Sequence, residues 1–575
     1  MILSIIDWFI IIGFFLISLS IGVLVAKQSG KDSTSFFLSN RNMPWWLLGV
    51  SMVATTFAAD TPNFVAGLIR EEGVYGNWIW WSFLLTGMLT VFFYSKLWRR
   101  SGVITDLEFY ELRYSGKSAA FLRGFRAVYL GVFFNIVIMA NVCLAAIKIG
   151  HVMFGFSEIQ TLLIASVVTV FYSMFGGLKG VLLTDFFQFL IAMIGSVWAT
   201  IYIVQMPEIG GLENMLAKPN VLEKTAMFPD FSKPEIFIPL MIIPLAVQWW
   251  SVWYPGAEPG GGGYIAQRML AAKDEKNATF ATLFFNVAHY ALRPWPWIII
   301  GLASLVLFPD LESLRQAFPN LNPDYVKHDL AYPAMLTFLP VGLLGLVITS
   351  LIAAFMSTIS THLNWGSSYV VNDFYSRFIR KQSSEKEKVF VGRLSTLLMM
   401  VCAGFLALIL EEARDAFDLL LQIGAGTGLL FILRWFWRRI NPYSEITAML
   451  VSFMIALFFF INGKMETPVF EMASHWQLVF GVVVTTIAWV TVTLLTNPSK
   501  KETIDKFENL VFRNEGKFHN FGYKILAFFA GVIGVYAMLF GTGYFIYGDT
   551  GLAIVSSSVT IICTIFLIKA RKKYL

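Results

Sequence analysis

Apolar runs of about twenty residues recur along the whole chain, and that is the length a helix needs to cross the hydrocarbon core of a bilayer. Approximate spans are 5–26, 45–69, 77–97, 125–152, 158–175, 181–205, 235–256, 279–308, 334–362, 390–411, 416–436, 443–462, 475–496, 521–546 and 550–570, about 15 in all. Composition agrees. The chain is 57% hydrophobic and 14% charged, where soluble domains run nearer a quarter charged. With 54 phenylalanines and 18 tryptophans it holds more apolar surface than one soluble core could hide. The predicted fold class is an all-α integral membrane protein, a single large bundle with no separate soluble domain.

The first run, Ile5 to Ala26, has no basic residue before it and no small-x-small cleavage pattern after it. It reads as a retained helix rather than a signal peptide. Cys143, Cys402 and Cys563 lie far apart within apolar runs, without zinc spacing or a disulfide framework. The net charge of +6 sits in short loops between the runs, a topology signal rather than a nucleic-acid surface. The basic loops alternate. One set holds Lys96 to Arg123, Arg268 to Lys276, Arg377 to Lys388, Arg438 and Arg439, Lys500 to Lys517 and Lys569 to Lys573; the opposite set is sparse. The positive-inside bias then places the N-terminus outside and the C-terminus in the cytoplasm of a cell (inner or plasma) membrane.

Two runs are not ordinary helices. Ala54 to Asn63 is rich in small and polar residues, with Asp60 and Pro62 in its middle, and the run 235–270 breaks at Tyr254-Pro255-Gly256, Pro259 and Gly260 to Gly263. Such breaks free carbonyls that lipid cannot satisfy, so they are tolerated only inside protein or beside a cavity. A break near the start of each of two five-helix halves points to an inverted-repeat transporter; a kink or interfacial loop is the plainer alternative for either break alone.

Ser357, Thr358, Ser360 and Thr361 place four hydroxyls on about one turn of an apolar helix. Hydroxyl and carbonyl oxygens suit a hard cation such as sodium, although membrane Ser and Thr also bond back to the preceding turn or hold helices together. Gly176-Gly177 makes a tight turn into a new helix that carries Asp185 within an apolar run. A carboxylate there costs roughly 2.5–3.5 kcal/mol on insertion scales. It needs a cation, a proton or hydroxyls, with Thr184 and Gln188 as local candidates.

Several separated segments together resemble the sodium/solute symporters, the family of sodium/glucose, sodium/proline and sialic acid transporters. They are Phe36 to Pro44, Ala54 to Thr61, Ile104 to Tyr114 with Glu108 and Arg113, the stretch 172–188, Gln267 to Lys273, and Gly345 to Phe374. The resemblance spans roughly 35–450. It implies a five-plus-five inverted-repeat (LeuT-like) core with broken first and sixth core helices. Residues 1–44 would form an extra N-terminal helix and cytoplasmic loop, 45–205 the first repeat, 235–436 the second, and 437–575 additional helices. It implies a sodium site of the Ala54, Phe57 and Ala354 carbonyls with the Ser357 and Thr358 hydroxyls. A second site would use Asp185, Ser357, Ser360 and Thr361. The chain departs from the pattern at Ala58, where the family carries Ser, and in the glycine-rich stretch Pro255 to Gly263, both where solute should bind.

The two breaks supply candidate solute contacts: Asp60, Thr61, Asn63, Trp250, Trp253, Tyr254 and Glu258. Aromatic faces stack on sugar rings and carboxylates hold hydroxyls or amines, whereas membrane aromatics more often face lipid. Arg293, beside Pro294 and Pro296, reads as a snorkelling residue, and His362 as a packed polar one. The expected function is sodium-coupled symport of a small polar solute, sugar-like before carboxylate- or amino-acid-like, with sodium, solute and lipid as partners. The sequence does not set the oligomeric state; a monomer suffices. Rivals are a proton-coupled carrier using Asp185 and a membrane sensor. The chain ends about five residues past its last helix, which leaves no room for a signalling domain. No Walker A sequence, His/Glu metal pattern or Ser/His pair suggests an enzyme.

Overall fold

The computed structural model describes residues 3–29, 31–56, 58–251, 258–319, 321, 326–409, 423–465 and 467–574. The described residues form helices and connections without a named strand. Their isolated bridge joins Met43 to Ala272, through Met43 N–H to the Ala271 carbonyl (3.1 Å) and Lys273 N–H to the Met43 carbonyl (3.0 Å).

Helix α1 is Ile5–Ala26, and the first broken run is α2, Trp45–Thr55, followed by α3, Asp60–Glu71. Then come α4 (Val74–Ser101), α5 (Lys117–His151), α6 (Glu158–Phe171), α7 (Gly176–Val204) and α8 (Pro234–Trp250). After the second break α9 (Gly263–Ala271) leads to α10 (Glu275–Leu307), α11 (Leu343–Ile379) and α12 (Glu385–Ala407). Later in the chain come α13 (Gly428–Leu433), α14 (Pro442–Gly463), α15 (Ser474–Leu495), α16 (Lys501–Phe512), α17 (Phe521–Ile546) and α18 (Thr550–Tyr574), and shorter helices lie in the connections. Eleven of these are long and apolar enough to cross a membrane, and α2, α6 and α8 are shorter apolar helices. The expected count of about 15 is not confirmed, because the run 416–436 and the end of 390–411 fall partly outside the described residues.

The expected turn between α6 and α7 is a bend in one long helix, at Gly177 with φ 53° and ψ −164°. That backbone region is accessible almost solely to glycine. It redirects α7 so that this helix packs on α2 and α11. Helix α11 is the most enclosed span, packed against α1, α5, α7 and α12. Its approach to α5 is close: a Cβ on Gly366 would stand 2.5 Å from the Gly131 carbonyl oxygen. The amino end of α11 is capped from another helix, since Asp7 Oδ1 accepts both Gly342 N–H and Gly345 N–H at 2.8 Å. Helix ends leave such groups unsatisfied otherwise. The outer helices turn Phe405, Phe458, Ile487, Phe545 and Ile562 outward, an apolar surface that lipid covers.

At the basic end of the bundle α16 lies as an amphipathic segment, with Ile504, Phe507, Val511 and Phe512 buried beneath it. Ion pairs clamp it there: Arg438 to Asp505 (2.8 Å) and Glu508 (2.6 Å), Arg513 to Glu275 (3.1 Å) and Arg100 to Glu515 (2.6 Å). Burial opposes the Glu515 charge, but hydrogen bonds from Arg100 and Lys96 outweigh it and hold the carboxyl down to about 2, from an ordinary 4.5. A depressed carboxylate contributes stability that is complete above its unfolded value and is lost as pH falls through the folded one. Melting temperature followed from pH 6 to pH 3 should therefore show wild type converging on Glu515→Gln below about 4.5. A gap that persists unchanged to pH 3 would refute the assignment.

Candidate functional site

Helix α2 ends where Thr56 turns its hydroxyl back to the Met52 and Val53 carbonyls, both at 3.0 Å. Helix α3 then opens at Asp60. The freed carbonyls are met by Arg293 of α10, which donates to Val53 O (2.9 Å) and Thr56 O (2.8 Å). Arg293 is thus not a snorkelling residue: it is buried at the break, where backbone acceptors without lipid or water partners demand a donor.

Facing this break, α11 presents Ala354, Ser357, Thr358, Ser360 and Thr361, all buried. The Thr358 hydroxyl donates to the Thr55 carbonyl at 3.0 Å, and the Thr55 and Thr361 hydroxyls lie 3.1 Å apart. Backbone carbonyls at a helix break and hydroxyls across from them are uncharged oxygen ligands, the chemistry a hard monovalent cation takes. Of the predicted ligands, Ala54 is buried at the end of α2, and Ala354, Ser357 and Thr358 are buried on α11. Phe57, the remaining predicted ligand, lies outside the described residues.

The second predicted cation set is arranged differently. Asp185 accepts from Ser357 at 2.6 Å and from Ser51 of α2. Its other neighbour is Arg268 of α9, 3.8 Å away, and both side chains are 0% exposed. The Arg268 guanidinium donates to Thr361 at 2.8 Å, while the Ser360 hydroxyl bonds back to the Ser357 carbonyl at 3.0 Å. Arg268 was read as a basic loop residue; it lies instead inside the bundle.

Three of the solute candidates fall in two cavities. Asp60 and Asn63 line one of about 240 Å³ together with Glu71, Lys148, His328 and Asp329. There Asn141 donates to Asp60 at 3.3 Å and Lys148 pairs with Asp329 at 3.0 Å. Glu258 lines the other, of about 50 Å³, with Thr56, Thr86, Asn286 and His289. Trp250 and Thr61 line neither cavity, and the Trp250 indole donates to the Ala246 carbonyl at 2.8 Å. Trp253 and Tyr254 lie outside the described residues. His362 packs against Asn135, 2.6 Å from ring nitrogen to amide oxygen.

A buried charge network escaped the sequence reading altogether. Arg126 reaches Glu258 (3.4 Å) and Glu445 (3.8 Å), and Arg434 reaches Glu445 (3.5 Å). Tyr114 donates to Glu445 at 2.7 Å. Arg126 and Arg434 lie inside the expected runs 125–152 and 416–436, and a charged residue within a span was the available signal.

Comparison with known proteins places these features in context. The model of the sodium:solute symporter family matches residues 36–452. The sodium/glucose cotransporter of Vibrio parahaemolyticus is 25% identical over 472 residues, covering 79% of this chain and 85% of the relative. The sodium/myo-inositol cotransporter of Bos taurus is 27% identical over 551 residues, covering 85% and 73%. The substrate-bound outward-open structure of a Na+-coupled sialic acid symporter aligns with TM-score 0.69 at 22% identity, over 86% of this chain and 99% of the other. That likeness gives the fold, the LeuT-like bundle that the family resemblance implied.

Proposed function

The chain belongs to the sodium:solute symporter family, and we propose that it brings a small sugar- or polyol-like solute into the cell together with sodium by alternating access. The observation that carries this reading is the contact between the broken end of α2 and the hydroxyl turn of α11, held by Thr358 on the Thr55 carbonyl. Sodium at Ala54, Phe57, Ala354, Ser357 and Thr358 would fix α2 against α11 and bias the chain toward the state that accepts solute. The repeats would be 45–205 and 235–436, moving against each other around this contact. The basic loops support a cytoplasmic C-terminus and a plasma-membrane orientation with the N-terminus outside.

The solute class rests on chemistry and on kin. The cavity beside Asp60 and Asn63 offers carboxylate acceptors and the Lys148 donor together, and a polyol hydroxyl serves as both donor and acceptor. The relatives named above are cotransporters of glucose and myo-inositol. A proton-coupled mechanism through Asp185 finds no support, since an arginine already partners that carboxylate.

The drive is ample. A potential of about 100 mV supplies roughly 2.3 kcal/mol per charge, and a tenfold sodium gradient adds about 1.4 kcal/mol. One sodium then sustains accumulation on the order of a few hundredfold. Proteoliposomes given radiolabelled glucose or myo-inositol under an inward sodium gradient should concentrate one of them, and an equal potassium gradient should not. Uptake of these solutes that ignores sodium, or no uptake of either, would refute the proposal.

A further inference from the structure

We infer that Arg268 is a tethered cation standing where a second sodium ion would otherwise bind Asp185. The inference rests on the reading of the chain as a sodium-coupled carrier and concerns how many ions it takes.

The local sequence explains how an arginine reaches this depth. Gly260 and Gly261 both adopt φ 87° and Gly263 adopts φ 51°, left-handed values that glycine takes without strain. The chain is buried from Glu258 through Ala272, and Asp106 fixes the start of α9 by accepting Gly263 N–H at 2.8 Å. Five residues on, Arg268 projects toward α2, α7 and α11. Its guanidinium donates to Ser51 (3.2 and 3.3 Å), Thr361 (2.8 Å) and the Gln267 side-chain oxygen (3.0 Å), with the Tyr264 ring 5.8 Å away. Nη2 stands 3.8 Å from Asp185 Oδ2.

The four residues of the second predicted sodium site are thereby committed. Thr361 accepts from the guanidinium, Asp185 is neutralised by it, Ser357 donates to Asp185, and Ser360 bonds within its own helix. The pair Asp185 and Arg268 is neutral as it stands. A sodium ion added there would leave a net positive charge out of contact with water, beside a guanidinium that cannot leave, an arrangement that burial penalises steeply. Sodium comes and goes with the cycle; Arg268, bonded to the chain, does not. The Asp185 position therefore holds α2, α7 and α11 together without adding an ion to the stoichiometry.

The test is the count of sodium ions bound at saturation, measured with radioactive sodium on purified protein. Arg268→Gln uncovers the Asp185 carboxylate and should bind one sodium more than wild type. This gain is expected whatever the wild-type count, so a wild type that binds no sodium would sink the proposed function while leaving this measurement decisive. Asp185→Asn/Arg268→Gln removes both charges and should match wild type. If Arg268→Gln folds and binds no additional ion, or if the double variant binds one fewer than wild type, Asp185 is not occupied by the arginine and the inference is wrong.

Discussion

Sodium-stimulated uptake should disappear when Ser357→Ala and Thr358→Val are combined. Thr358 holds the broken end of α2 through the Thr55 carbonyl, and Ser357 stands one residue before it on the same buried turn. Hydrogen bonds and ligand contacts to charged groups contribute about 1.5–3 kcal/mol each, so losing both oxygens should weaken sodium binding by roughly a hundredfold or more. The loss can be read without solute. Ligand that binds only the folded state stabilises it by RT ln(1 + [L]/Kd), which for a millimolar site at 150 mM sodium is about 3 kcal/mol. Wild type should melt higher in sodium chloride than in potassium chloride at equal ionic strength, and the double variant should melt alike in both. A variant that keeps the sodium-specific rise would place the ion elsewhere.

The largest effect on stability is expected from Glu445→Ala. Glu445 is buried between Arg126 and Arg434 and also accepts from Tyr114. Without it Arg126 keeps Glu258 at 3.4 Å, while Arg434 loses the carboxylate that stands 3.5 Å away. Removing one partner from a buried ion pair typically costs about 3–5 kcal/mol, because the remaining charge stays desolvated. Glu445→Gln keeps an acceptor for Tyr114 but no charge, so its melting temperature should fall between Glu445→Ala and wild type. Unchanged melting in Glu445→Ala would mean that water reaches these arginines.

Much of the architecture was legible because the bilayer imposes a length. The runs at 5–26 and 521–546 coincide with α1 and α17 almost residue for residue. The first break was legible too, as small and polar residues where lipid tolerates none, and so was the bend at Gly177. The hydroxyl turn of α11 could be picked out by spacing alone. What spacing could not give is which face of a helix meets which neighbour. Arg268 was filed with the loops because basic residues usually end spans, and Arg126 fell inside the run 125–152 with no role given; the burial of Arg268 beside Asp185 and the network that holds Arg126 are tertiary facts. Asp60 and Glu258, assigned to one solute site because each lies at a break, line separate cavities. Arg293 was misjudged for a related reason, since proline neighbours suggest an interface, whereas the acceptors that bind it lie 237 and 240 positions away.

The Asp7 cap on α11 has a consequence for synthesis. The two partners are separated by 335 positions, so α1 enters the membrane long before α11 exists. Until then its carboxylate has Ser4 for company and little else, and an acidic group held in a span is costly. When α11 finally inserts, its amino end finds an acceptor already waiting. A residue of α1 is thus what finishes the helix bearing Ser357 and Thr358, and that helix is fully capped only once two segments far apart in the chain have met.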